Sequence, residues 1–409
     1  MQNIFLFLFS PFTLKSYQNK FCCYSGKNIF LDENSVSLYN NFIVKITEKL
    51  GIRIAIIVTG GLIAFCLLYF LYFVVFSYRQ KDNLKLRAKG QSTEEELETN
   101  RAYRLISHNI GFGAYSPDFT FFMDGGKESR AFSRDQVIGN TTGCARVTSN
   151  MGADFLLYQE VDIRGTRSHF VNEADLLVSI IEENDTVNWV FAQNYNSPYI
   201  LYPLSSPHGR NKSGIMTASH FKIQDATRRS LPVEKGLSRL VDLDRCYAKT
   251  VFNTKNSKKF IIYNVHLSAY TTTPETGNNQ IRMICMDMDE EYRKGNYVLA
   301  AGDMNREIFE RASELFGKSR KDYSWCQSFP EKLLSENLNL VPPCSKESPV
   351  PTSRNTDIPY GPDNFVTIID GFIVSKNIRV LTTEVLKTDF EYSDHNPIYI
   401  DFMLSDDNQ

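Results

Sequence analysis

The sequence predicts a mixed α/β domain carried behind one membrane-spanning helix. Three observations support this. Apolar strand patterns alternate with helical ones from Tyr103 to the end. Ile54 to Phe76 is a run of 23 residues without a charge. Several of the strands close on a polar residue able to do chemistry, most clearly Tyr297-Val298-Leu299-Ala300-Ala301-Gly302-Asp303-Met304-Asn305. A carboxylate ending an apolar run is costly to bury alone, so Asp303 is expected to face a cation, a strong donor or a solvent-filled cleft. Asn305, two residues on, falls on the same side of an extended chain.

At 409 residues the chain is long enough for a large domain plus an accessory segment. Residues 1–90 hold 11 Lys and Arg against 4 Asp and Glu, whereas residues 91–409 hold 34 against 43. The acidic balance of the larger part argues against a long, non-specific grip on nucleic acid, but not against a small phosphate held through a metal. The eight cysteines show no zinc-site spacing in the globular part, where buried free thiols are expected. A Cys326–Cys344 disulfide is the one pairing to consider if that region is extracellular.

Residues 1–53 lack the basic stretch ahead of an apolar run that a secretory signal carries, and are expected to be weakly ordered. At about 1.5 Å per residue, 54–76 can cross a hydrocarbon core of roughly 30 Å. Lys45, Lys49 and Arg53 precede it; Arg79, Lys81, Lys85, Arg87 and Lys89 follow. Local positive charge favours a cytoplasmic C-terminal domain. A short cytoplasmic N-terminus before a signal-anchor is the simpler arrangement, and the extracytoplasmic orientation is the one expected. Residues 77–100, charged and polar, read as a tether, leaving 101–405 as the domain.

Within it, Tyr103–Asn109 is a strand entering glycine-rich Gly111-Phe112-Gly113. Ser133 can cap a helix running to about Met151. Asp154–Glu160 is a buried strand ending in an acid. Asn172 caps a helix with Ala174, Leu177, Val178 and Ile181 at helical spacing. Strands follow at Trp189–Gln193, Gly214–Ser219, Cys246–Phe252 and Phe260–Leu267. A helix over Asn279–Arg293 presents Ile281, Ile284, Met288 and Tyr292 on one face, with Gly295 as its stop. After the Asp303 strand come a helix near Glu307–Phe316, a proline-punctuated loop around Val341–Pro362, and strands at Val366–Val374, Arg379–Val385 and Pro397–Leu404.

Taken singly, a strand-end acid is a turn former and a lone histidine is a hydrogen-bonded core residue. Taken together, Asn109, Glu160, His266, Asp303 with Asn305, Asp370, and Asp394 with His395 supply oxygen donors for a hard cation such as Mg²⁺. They also supply two histidines for proton transfer, one of which Asp370 can orient.

The ordered set Ser107-His108-Asn109-Ile110, Gln159-Glu160-Val161-Asp162, Asn264-Val265-His266-Leu267, Gly302-Asp303-Met304-Asn305, Ile369-Asp370-Gly371-Phe372 and Ser393-Asp394-His395-Asn396-Pro397 resembles the endonuclease/exonuclease/phosphatase family, closest to its bacterial membrane-anchored members. The resemblance implies a four-layer sandwich of two central mixed β-sheets flanked by helices. It implies Glu160 as principal Mg²⁺ ligand (Mn²⁺ as a substitute), supported by Asn109 and Asp394. Asp303 would position or deprotonate the attacking water, and Asn305 would hold the scissile phosphate. His395 would contact the phosphate, oriented by Asp370. His266 matches the second histidine of the deoxyribonuclease I and sphingomyelinase branches, and leans away from the abasic endonucleases.

Two basic residues in the tyrosine-rich stretch 194–213, Arg210 and Lys212, are candidates to contact phosphate. An ordered surface loop explains that stretch equally well. Arg164 and Arg167 follow Glu160 near the expected cleft mouth, and the charges of 236–245 read as internal Arg–Asp pairing. The expected activity is phosphodiester hydrolysis by a single-pass membrane protein. The alternatives are a nuclease acting on DNA or RNA, a sphingomyelinase-like lipid phosphodiesterase, and an inactive binding module. No exposed apolar hairpin that would favour the lipid reading stands out in the sequence.

Overall fold

The structure, a computed structural model, describes residues 23–24, 27–28, 33–77, 79–92, 95–234, 236, 243–269 and 274–406. Most of the N-terminal 32 residues, and Leu237, Ser238, Arg239 and Asp242, lie outside the described residues. The chain divides into two units, Met1–Leu71 and Tyr72–Gln409.

A helix α1, Glu33–Phe76, contributes most of its length to the first unit and its last residues to the second. Asn34–Phe76 is long and apolar enough to cross a membrane, with a mean hydropathy of 2.6 over its most apolar 18 residues. Residues 33–53, expected to be weakly ordered, are therefore helical. Leu38, Phe42, Ile46 and Leu50 recur at helical spacing ahead of the uncharged run, and helix propagation is cooperative.

The second unit is built on two sheets. Its elements are β1 (Leu84–Lys85), β2 (Lys89–Gly90), β3 (Glu96–Leu97), β4 (Ala102–Asn109), α2 (Arg134–Ser149), β5 (Phe155–Gly165), α3 (Glu173–Ile181), β6 (Asn188–Asn196), β7 (Asn211–Ser219), β8 (Asp225–Ser230), β9 (Cys246–Thr254), β10 (Lys259–His266), α4 (Pro274–Arg293), β11 (Tyr297–Asp303), β12 (Leu338–Val341), β13 (Asp370–Ser375), β14 (Ile378–Val385) and β15 (Ile398–Leu404). One sheet runs β12-β13-β11-β10-β9-β8-β1 with β3 beside β9; the other runs β14-β15-β4-β5-β7-β6-β2. Both are mixed: β10 with β11 and β4 with β5 are parallel, and most other pairs are antiparallel.

Alternation along the strands sorts side chains into layers. Phe260 and Ile262 of β10 point between the sheets, where they join Leu105, Phe155, Leu299 and Phe402. Ile261 and Tyr263 point the other way, onto Ile281, Ile284 and Met288 of α4. On the far side, Ile106, Leu156 and Met216 pack with Cys144 of α2 and Leu177 of α3. Helix, sheet, sheet, helix is the expected four-layer order. The helix starts agree in detail. Ser133 accepts from the Gln136 amide, and Asn172 from the Asp175 amide.

Two further expectations are corrected by the fold. Residues 77–100 are not a free tether: β1, β2 and β3 pair with β8, β6 and β9, and the Leu97 side chain is fully buried in the central core. The helix expected near 307–316 is a two-residue strand, Arg306–Glu307, and a short 3₁₀ turn, Ala312–Phe316. The Glu307 carboxylate is drawn inward to the Ser313 amide, Thr367 and Arg320, which breaks the helical course. Cys326 and Cys344 are both free thiols.

Candidate active site

The six expected strand ends converge. Parallel pairing of β10 with β11 sets His266 opposite Asp303, and antiparallel pairing of β11 with β13 sets Asp303 opposite Asp370. In the other sheet, β4 and β5 place Asn109 opposite Gln159, with Glu160 next along. The register of β5 shifts between Tyr158 and Val161, and Glu160 at that irregularity has φ of 55°. A left-handed non-glycine residue is uncommon and costs energy. Here the twist re-aims a carboxylate into the space between the sheet ends.

Asp303 is the centre of the cluster. Its Oδ1 accepts from the Asn305 amide at 2.8 Å; its Oδ2 accepts from Asn305 Nδ2 and Asn109 Nδ2, each at 3.1 Å. His266 Nε2 lies 3.5 Å and His395 Nε2 3.8 Å from the same oxygen. Burial pushes the Asp303 carboxyl up to about 7; nearby His395 opposes the shift and the Asp370 charge adds to it.

His395 is held on both sides. Its Nδ1 meets Asp370 Oδ2 at 2.9 Å, and its backbone oxygen meets His108 Nε2 at 3.0 Å. Burial disfavours its charged form, but Asp370, Asp303 and Asp394 together raise its pKa to about 10, so it is an imidazolium at neutral pH. His266 is the opposite case. Burial, with the positive charges of Arg245, His395 and Arg167, keeps it well below the usual histidine range and neutral. Its Nδ1 is buried without a hydrogen-bond partner among the described residues. The single proton therefore belongs on Nε2, facing Glu160 and Asp303.

Glu160 and Asp394 are both raised above ordinary carboxylates, by burial first, and for Glu160 also by the charge of Asp394. Beside them Gly111 has φ of 52°, and a Cβ there would come 2.9 Å from Asp394 Oδ1 and 3.0 Å from Tyr115 Cε2. Glycine keeps that flank open. The expected ligand role of Asn109 is not what its contacts favour. Its Oδ1 accepts from the Gly111 amide, and its Nδ2 faces Glu160 and Asp303. It steadies the carboxylates. Among the described residues no group of three or more His, Cys, Asp or Glu is placed to hold a metal ion. Two repelling carboxylates facing one cleft still fit a hard cation that takes few protein ligands and fills its shell with water and substrate oxygens.

Arg210 and Lys212 are not drawn in. Arg210 is exposed, and neither side chain makes a hydrogen bond or ion pair with the cluster. Arg167 makes a bidentate, buried pair with Asp162 and stacks on Phe112. Asp244 pairs with Arg228 and Arg79, which supports internal pairing there. Arg245 is buried, and its charge reaches Glu160, His266 and Asp303, a site role the sequence does not indicate.

Ser353 carries no signal in the sequence. It bridges to His395 through the backbone and places Oγ 3.4 Å from Nε2, from a two-residue strand, Ser353–Arg354, too short to show a period. Gln159 and Asn264 were seen only as parts of motifs. Gln159 Nε2 donates to Asn264 Oδ1 at 2.8 Å, and Asn264 Nδ2 donates to the Met216 carbonyl at 2.8 Å, a polar tie between the sheets.

The profile of the endonuclease/exonuclease/phosphatase family matches residues 106–395, which contain every residue of the cluster. No curated protein matches the chain. Among solved structures, an endonuclease/exonuclease/phosphatase from Beutenbergia cavernae DSM 12333 is 15% identical, with a TM-score of 0.51, over 75% of this chain and 72% of that one. A family protein from Leptotrichia buccalis C-1013-b is 14% identical, at 0.47, over 73% and 98%. The human Nocturnin catalytic domain with bound sulfate is 16% identical, at 0.44, over 78% and 98%. At such identities the first of these speaks for the fold alone. The family is one of phosphoesterases and nucleases and is generally dependent on divalent metals. Through the profile match and the sandwich that carries it, the chain belongs to the endonuclease/exonuclease/phosphatase family.

Proposed function

We propose that the protein is a membrane-anchored phosphodiesterase that uses a divalent cation, Mg²⁺ or Mn²⁺, and hydrolyses its substrate by in-line attack of water. The observation that carries this reading is the pairing of ionisation states in one cluster. Asp303 sits near 7 and is able to take a proton at neutral pH, while His395 a few ångströms away stays protonated.

Asp303, held in register by Asn305 and Asn109, accepts a proton from the attacking water as its oxygen bonds to phosphorus and the opposite ester P–O bond breaks, the departing oxygen taking its proton from solvent. Asp370 keeps the His395 ring fixed, so that Nε2–H is aimed into the cleft before charge develops on the phosphoryl oxygens. Neutral His266 offers a second donor without adding a charge that would weaken the base. Glu160 and Asp394 would hold the cation, with Asn109 steadying Glu160. When bound, the cation neutralises negative charge on the phosphate.

A water attack of this kind suits a lipid, a small diester or a nucleic acid. The acidic balance of residues 91–409 counts against a polymer gripped along its backbone. The test takes the full chain in detergent with Mg²⁺ and a panel of bis-p-nitrophenyl phosphate, phospholipid, inositol phosphates and plasmid DNA. Asp303→Asn and His395→Ala should each lower turnover by about 10²–10³-fold, on the scale of a lost preorganised donor. Turnover that survives both substitutions, or chelation, defeats the reading.

A further inference from the structure

The segment between β6 and β7, which the sequence leaves as a tyrosine-rich loop, is a small fixed hairpin. Ile200 and Gly209 exchange backbone hydrogen bonds of 3.0 and 2.9 Å, closing the turn 201–208 between them. Its base is tied to the segment 119–132. His208 Nδ1 donates to the Ser129 carbonyl at 2.6 Å, and Arg130 Nε donates to Ser206 Oγ at 3.0 Å. The tip is apolar and turned outward: Leu204 is 83% exposed, Tyr202 67% and neighbouring Met123 61%. Leu204 and two thirds of Tyr202 stay uncovered within this fold, and a soluble surface gains nothing from them.

Two observations say what covers this tip. Tyr72–Phe76, the last turn of the apolar run, belongs to the same folded unit as the sheets. There the Tyr199 amide, at the foot of the hairpin, donates to the Tyr72 hydroxyl at 2.9 Å. The hairpin therefore begins where the chain would leave the bilayer, and tyrosine is enriched at that depth. The second observation is a line of packed rings, buried except at its outer end, that ties the tip to the site. From Tyr115, beside Asp394, rings follow through Phe112 (5.1 Å), Phe121 (6.0 Å), Phe122 (5.0 Å) and Tyr202 (5.8 Å).

We propose that Tyr202, Leu204 and Met123 rest in the headgroup boundary of the bilayer that anchors the chain, so that the active site works on a phosphodiester presented at that surface. This rests on the anchored-phosphodiesterase reading and narrows it to a membrane-presented substrate. The exposed apolar hairpin that the sequence did not reveal is this one: Tyr199 to Leu204 is a short apolar run whose exposure is set only by the fold, which packs Tyr202 on Phe122, next to Met123.

The full chain is reconstituted into phosphatidylcholine–phosphatidylglycerol vesicles as Leu204→Trp. Leu381→Trp serves as the reference, since Leu381 is exposed on β14, at the sheet edge remote from β6. Lipid brominated near the headgroup end of its acyl chains should at least halve the added emission of L204W and leave that of L381W nearly unchanged. Equal quenching of the two, no quenching, or a blue-shifted but unquenched L204W (a tip covered by protein) each overturns the docking. Flotation with the vesicles reports the anchor separately, and failure to float ends both ideas.

The paired variant Tyr202→Ser/Leu204→Ser should lose about tenfold in hydrolysis of a phosphodiester embedded in the vesicles. Its turnover of bis-p-nitrophenyl phosphate should stay at the parent rate. An unchanged ratio of the two rates defeats the membrane-presented substrate. A parent inactive on both substrates removes the phosphodiesterase reading while leaving the quenching result intact.

Discussion

The charge state of two side chains decides what this site can do. Asp303, raised by burial to about 7, is the group that must lose its proton, and His395, held up to about 10 by Asp370, is the group that must keep one. A base of raised pKa is inactive below it and an acid is inactive above its own. On this basis kcat/KM should rise toward neutral pH, hold a plateau, and fall as the pH nears 10. Asp370→Asn removes the charge that supports the imidazolium, so the alkaline limb should move to lower pH; the acid limb should follow in the same direction, since the Asp370 charge also raises Asp303. An alkaline limb that stays in place in that variant would show that His395 is not the group ionising. The same residues explain why a second histidine is tolerated so close: burial keeps His266 neutral.

Short edge strands do more than their length suggests. β1, β2 and β3 each pair only two residues, yet they extend both sheets and seat Leu97 among Tyr103, Phe252 and Phe260. Fully burying one such side chain contributes about 1.5–3 kcal/mol. A chain begun at Arg101 should therefore be less stable than one begun at Arg79 by at least that amount, with a lower urea midpoint as followed by far-ultraviolet circular dichroism. Equal midpoints would mean that the pairing of 84–97 adds nothing. At the opposite end of the strands, the register shift in β5 and the Gln159–Asn264 tie act together. One turns Glu160 toward the cleft; the other fixes the spacing between the two sheets beneath it.

At the scale of the whole molecule, the site sets function against stability. Glu160 and Asp394 have folded pKa values above their unfolded ones, so above the ordinary carboxylate range their ionisation weakens the folded state. A cation bound between them reverses this. At a concentration 100 times its Kd it should add about 2.7 kcal/mol, seen as a rise in Tm with Mg²⁺. Glu160→Gln should lose most of that response. Without divalent ions it should be more stable than the parent by about 0.5–2 kcal/mol, the scale of a single stabilising substitution, and so have the higher Tm. A lower Tm for Glu160→Gln in chelator would contradict the repulsion inferred here.

Sequence alone determined what is local. Periods of two and 3.6 marked the long strands and helices, since one buried face per element is written in neighbouring residues. Caps at Ser133 and Asn172 were legible because a side chain there serves an amide three residues on. The strand-end residues were legible too, because a polar group closing an apolar run needs a reason. Tertiary structure alone decided what depends on residues far apart in the chain. It brought Asp303 within 3.8 Å of His395, turned the Asn109 nitrogen rather than its oxygen to Glu160, and left Arg210 and Lys212 outside the cluster. It made edge strands of an apparent tether and gathered an apolar tip from two separate loops. Two-residue strands carry no period, and burial, which sets each pKa in the site, exists only once the sheets have packed.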